Sequence, residues 1–314
     1  MKKMNLTLFK VLIFLAISSL LGHAESIKDT VQSFTEMKKY VEKSDPLSTL
    51  VVMDNDDTLT MMSCPDRNKP DTCQYLGGPA WFAWQKSQVE NMSQPRVANS
   101  FSELLTVSAT LLSNNYMTYS ASDVPVILNE LADSGVRLMV ETARGNSNIS
   151  ATEQQFLKLN IKSSKSKNLL ELISDNSLKF GKNRMSSKAS PYLPCGDKSM
   201  RPISYQQGLM YISGQDKGVI LKCMLDEFNS LDGAKTISNI VFIDDMKQNV
   251  LNVHKAFKNS SEYNVYALHY TALKKHKEVF TKGKMADIYQ RNATTRFIKF
   301  KKMLEETLQN PMLP

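Results

Sequence analysis

Apolar residues along this chain fall into two rhythms. Short, largely apolar runs occur at TLVVM (49–53), VRLMVET (136–142), GLMYI (208–212), NIVFI (239–243) and YNVYALHY (263–270). Between them, apolar positions recur three and four residues apart, the period of an amphipathic helix. Uninterrupted apolar strands alternating with such helices predict a parallel sheet covered on both faces, an α/β fold.

The helical pattern predicts helices over residues 26–45 through Ile27, Val31, Phe34, Met37 and Val41, and over PAWFAWQKSQVENM and SFSELLTVSATLLSNN. DVPVILNELADSG reads as a helix with Asp123 as cap and Gly135 as stop. Ser150-x-x-Glu153 reads as a capping box opening the next one. KGVILKCMLDEF, QNVLNVHKAF and the terminal stretch from Ala286 to Leu308 complete the set. Residues 163–207, rich in Ser, Lys, Asn and Pro, predict a loop-rich excursion. Trp81, Phe82 and Trp84 are expected in the core.

The N-terminus changes the picture first. Lys2, Lys3 and Lys10 precede the apolar run VLIFLAISSLLG, which ends in Gly22-His23-Ala24. This is the pattern of a cleaved export signal over residues 1–24, too short for a membrane anchor. The expected location is periplasmic or secreted. Removing that segment takes three of the formal +8 charges with it. The remaining basic charge is diffuse, which argues against a nucleic-acid partner. Four cysteines in an exported chain permit disulfides. Cys64 and Cys73, bracketing PDRNKPDT, are the expected pair, whereas Cys223 sits among apolar helix positions as a buried thiol. Nothing in the spacing suggests zinc.

Candidate chemistry collects where the strands end. The first strand ends in Asp54-Asn55-Asp56-Asp57-Thr58, the second in Thr142-Ala143-Arg144, and the fourth in Asp244-Asp245. Lys217 opens the helix after the third. In open α/β sheets the carboxyl ends of the strands form the ligand site. Acids, a hydroxyl and cations at one edge suit phosphoryl transfer through an aspartyl intermediate. A carboxylate attacks phosphorus only when a cation neutralises both partners, and Mg²⁺ is the hard ion suited to carboxylate and phosphate oxygens. Asp54 and Asp244 would supply carboxylates. Asp56, two residues on, would act as acid and base, Thr142 would bind a phosphoryl oxygen, and Lys217 would place positive charge beside the nucleophile.

With these motifs in order, VVMDNDDT, LMVET, DKG and VFIDD, the chain resembles the haloacid dehalogenase-like (HAD) superfamily over residues 45–270. The resemblance implies a Rossmann-like core with Asp54 as nucleophile, Asp56 as acid/base, and Mg²⁺ held by Asp54, the Asp56 carbonyl and Asp244. Asp245 and Asn249 would either orient the metal's waters or serve only as capping or surface residues. Arg144, in TAR, would bind substrate phosphate. It further implies a small helical cap over residues 60–120, with the core formed by 25–59 and 121–314. LGGPAWFAWQ, KGVILKCML and LHYTAL are also similar to a HAD-like family of secreted gram-negative proteins, a match that brings no substrate.

Some residues depart from the superfamily pattern. Asp57 stands where Gly or Asn is usual and is expected to point to solvent. Lys222 rivals Lys217, but only Lys217 opens a helix and precedes a Gly. His269 and Tyr270 are expected to be structural. A calcium loop is excluded because its sixth and twelfth positions would be Leu59 and Pro65 rather than Gly and Glu. The expected function is therefore Mg²⁺-dependent hydrolysis of a small-molecule or protein phosphomonoester. The alternative is a catalytically silent secreted binding or effector protein on the same fold.

Overall fold

A computed structural model describes residues 24–161, 165–181, 183–233 and 235–309. The export-signal reading of residues 1–24 falls almost wholly outside them. Nine strands occur among the described residues: β1 Ser26–Val31, β2 Thr49–Met53, β3 Thr60–Met62, β4 Met117–Tyr119, β5 Arg137–Thr142, β6 Ser204–Gln206, β7 Leu209–Tyr211, β8 Asn239–Asp244 and β9 Asn264–Tyr270. Seven of them form one sheet in the order β1-β9-β8-β2-β5-β7-β6, parallel throughout except for the β6 edge.

The strand period of two splits every central strand between two cores. Val51, Met53, Leu138, Val140, Val241 and Ile243 face one side. There they meet α1 Phe34–Val41, α4 Val124–Asp133, α5 Ile149–Leu157 and α6 Leu169–Asn176. Leu50, Val52, Met139, Ile240 and Phe242 face the other side, under α7 Lys217–Asn229 and α8 Lys247–Phe257. The predicted doubly covered parallel sheet is the observed Rossmann-like α/β architecture.

The inserted segment contains α2 Pro79–Glu90, α3 Phe101–Asn114 and a two-stranded β3–β4 ribbon. Its own cluster, built on Trp81, Tyr75 and Leu104, also takes in Phe280, Tyr289 and Phe297. These three come from α9 Lys274–Thr281 and α10 Gly283–Leu308, so the chain's end packs onto the insertion.

Several local expectations are corrected. Residues 26–31 form a strand, because parallel pairing with β9 satisfies their backbone at the sheet edge. The helix starts only at Phe34, where the Ser33 side chain accepts from the Glu36 N–H. Asp123 does take the N-cap position of α4, but its carboxylate bonds elsewhere, accepting from the N–H and hydroxyl of Thr35, both at 3.0 Å. Ser150 is not a cap, since α5 already begins at Ile149 after a short turn. Within the loop-rich excursion, Asn168 caps α6. Cys223 is not a free thiol: it is bonded to Cys195, and Cys64 to Cys73. Among the described residues no helix is long and apolar enough to cross a membrane.

Candidate functional site

β2 lies between β5, which the chain visits first, and β8, reached after it doubles back. This reversal opens a crevice at the carboxyl ends of β2 and β8, where neither connection covers the sheet edge. Asp54 and Asp244 end those two strands, 7% and 0% exposed. Parallel register keeps them level, and the Asp54 N–H donates to the Ile243 carbonyl at 2.9 Å.

Lys217 joins them. Its Nζ donates to Asp54 Oδ1 at 2.5 Å and to Asp244 Oδ2 at 2.7 Å, with the lysine itself 1% exposed. The lysine is the first residue of α7, whose cap is the Asp216 side chain. Gly218 follows because α7 presses on α8: a Cβ there would run into the Asn252 carbonyl. Lys222 turns outward to Asp226 instead. Burial disfavours charge on Lys217, yet Asp244 and Asp54 outweigh it and hold its pKa above the ordinary value. Burial also pushes the Asp54 carboxyl upward, and Lys217 offsets only part of that push. Asn249 Nδ2 donates to both oxygens of Asp244, at 3.1 and 3.0 Å.

A second group sits beside the first. Thr58 braces the acidic loop, accepting from the Asp245 N–H at 2.9 Å. Lys277 of α9 pairs with Asp245 and, at 3.7 Å, with Asp57. Asp57 therefore does not point freely to solvent. Its φ of 63° turns the carboxylate back under α9, where burial lifts its pKa to about 6 against the pull of Lys277.

A third group holds Asp56. Arg144 donates from Nε to Asp56 Oδ2 at 2.9 Å and from Nη2 to Oδ1 at 2.7 Å. Nη1 donates to Thr152 Oγ1 and Gln155 Oε1, both at 2.8 Å. Four of the five guanidinium N–H groups are thus used, leaving one on Nη2. Gln155 in turn donates to the Leu112 carbonyl at the end of α3, tying this group to the insertion. The Thr142 hydroxyl, 1% exposed, accepts from the Arg144 N–H at 3.2 Å.

The predicted residues thus gather at one edge in three adjoining networks. Lys277, Thr152 and Gln155 were not foreseen. Lys277 is one of four lysines in ALKKHKEVFTK, and nothing local distinguishes it. Glu141 was also passed over: it is fully buried, and neither carboxylate oxygen has a hydrogen-bond partner among the described residues. Burial pushes its pKa well above the usual range. His269 Nε2 lies 3.1 Å from the Asp245 backbone carbonyl, beside the site, while Tyr270 packs on Phe34.

Carboxylate oxygens of Asp54, Asp244 and Asp245 lie within 4.8 Å of one another. Two lysines face four carboxylates across the first two networks, so two negative charges stand in excess when all are ionised. Hard oxygen donors with that surplus fit a divalent cation such as Mg²⁺. Cys64, Cys73 and His276 also cluster, but the two sulfurs are spent on each other. No curated protein matches the chain. The family model described as protein of unknown function (DUF2608) matches residues 30–310, and the chain belongs to that family.

Proposed function

We propose that the protein is a HAD-like phosphomonoesterase working through an aspartyl-phosphate intermediate. The observation that carries this reading is the pairing of Asp54 with Asp244 through buried Lys217 at the reversal point of the sheet. Buried carboxylates are disfavoured without compensation, and a fold meets that penalty where the charge is used.

Asp54 attacks phosphorus while Asp56, released from the fork as Arg144 turns to the phosphate and protonated from solvent in that released state, gives its proton to the departing alcohol oxygen. Asp56 then takes a proton from the water that cleaves the acyl phosphate, restoring both groups. Lys217 keeps Asp54 oriented and balances charge beside the phosphate. The Thr142 hydroxyl and the remaining Nη2 N–H of Arg144 bind phosphoryl oxygens. Asp54, Asp244, Asp245 and the Asp56 carbonyl would hold Mg²⁺, which would neutralise phosphate and nucleophile together. The substrate is a small-molecule or protein phosphoester met outside the cytoplasm, consistent with the export signal read in the sequence.

The test is a phosphoester panel with Mg²⁺, scored as phosphate released. Wild-type protein should hydrolyse a generic aryl phosphate, and Asp54→Asn should abolish turnover. Wild-type protein no more active than Asp54→Asn would favour the secreted binding or effector protein instead.

A further inference from the structure

Arg144 has two unlike ends. Its outer edge, Nε and Nη2, forks onto Asp56, whose side chain is partly exposed at the mouth of the site. Its inner nitrogen, Nη1, spends both hydrogens on Thr152 Oγ1 and Gln155 Oε1, which are buried.

Both of these acceptors are themselves fixed. The Thr152 hydroxyl donates its one hydrogen to the Asn148 carbonyl at 2.7 Å, so its oxygen meets Arg144 only as an acceptor. The Gln155 amide nitrogen donates to the Leu112 carbonyl at 2.7 Å, which turns the amide oxygen toward the guanidinium. Asn115, just beyond α3, donates from Nδ2 to the Leu76 carbonyl at 3.1 Å, so the insertion builds the rear of this holder. Displacing Nη1 would leave two buried acceptors unpaired, whereas the outer edge can change partners where solvent reaches it. That edge carries two parallel N–H groups, a geometry that suits a carboxylate and a phosphoryl group alike.

We propose that Thr152 and Gln155 are positioning residues for phosphate recognition: they hold Nη1 as a pivot about which the guanidinium turns from the Asp56 carboxylate to the substrate phosphate. This rests on the phosphomonoesterase reading above. Asp56 and the phosphate compete for one guanidinium, so arrival of substrate frees the acid/base that the reaction uses.

Tungstate, a tetrahedral oxyanion that undergoes no turnover, reads the pivot by titration calorimetry of the mature protein with Mg²⁺. Thr152→Val and Gln155→Met remove one acceptor each at little change in volume. Each should weaken tungstate binding roughly tenfold, while Thr152→Ser, which keeps the hydroxyl, should bind within about threefold of wild type. Asp56→Ala, which removes the competitor, should bind tungstate more tightly than wild type. Variants that melt earlier but keep wild-type affinity overturn the pivot, because a merely structural role predicts that result. A loss in Thr152→Val that Thr152→Ser does not repair, or an Asp56→Ala protein no tighter than wild type, overturns it too. These outcomes leave the phosphate site standing, whereas wild-type protein that binds no tungstate overturns both.

Discussion

Arg144 grips Asp56 through a planar fork, Nε to Oδ2 at 2.9 Å and Nη2 to Oδ1 at 2.7 Å, from a position 5% exposed. Lysine could match the charge but not the fork. Arg144→Ala should cost about 3 kcal/mol in urea unfolding, because Asp56, Thr152 and Gln155 all lose their donor. That estimate is at the low end for buried pairs, since the Asp56 side chain is 23% exposed. Asp56→Asn, which leaves the buried guanidinium without its counter-charge, should cost a similar amount and also stop turnover. An Arg144→Ala variant as stable as wild type would show that the fork does not hold the loop.

Lys217 stands between two buried carboxylates, and removing it strands both. Lys217→Met should lose about 3 to 5 kcal/mol when divalent cations are chelated. Millimolar Mg²⁺ should then raise the melting temperature of this variant more than that of the wild type, since binding to the folded state stabilises it. Asp244→Asn should erase the Mg²⁺ shift. Thermal melts in chelator and in Mg²⁺ read all of these. Equal wild-type and Lys217→Met stability in chelator would contradict the role given to the lysine.

Glu141 predicts a pH dependence with a defined sign. Its folded pKa is raised well above the ordinary 4.5, so the protonated acid is favoured on folding. Its stabilising contribution is full below pH 4.5 and is lost as pH rises through the folded value. Glu141→Gln keeps the shape and cannot ionise. The variant should therefore gain melting temperature over wild type at pH 7.5, with the gap shrinking toward pH 4. A gap independent of pH would show that Glu141 is not held neutral.

The Cys195–Cys223 bond closes a loop between residues 28 apart and fastens the excursion to α7, the helix that begins with Lys217. Loop-closure entropy puts its contribution at about 3 to 4 kcal/mol. Replacing both cysteines with Ser should lower unfolding free energy by about that amount, measured by urea denaturation in oxidising buffer. A change within error would mean that the loop is already confined by its packing.

Much of this protein is legible in one dimension. Five apolar runs mark the core strands, because a strand covered on both faces must be apolar at most positions, whatever lies opposite it. Strand ends are also local facts, so Asp54, Thr142, Lys217 and Asp244 could be assigned to one edge before any contact was known. Edge elements were less visible. Ser26–Val31 carries apolar residues that fit either period, and only its pairing with β9 makes it a strand.

Tertiary structure decided which charges meet. Asp57 is expected from the sequence to point to solvent, yet Lys277, 220 residues later by numbering, comes down over it from α9. Cys223 looks like a core thiol until the excursion brings Cys195 to it. Gln155 has no local signature, and its place between Arg144 and α3 exists only because the insertion folds back onto the sheet edge. Periodicity and strand-end chemistry are properties of short segments, so the sequence by itself determined the doubly covered sheet and the residues along its edge. Ion pairs, disulfides and the aromatic packing of the insertion on α9 join segments far apart in the chain, and no local pattern encodes them.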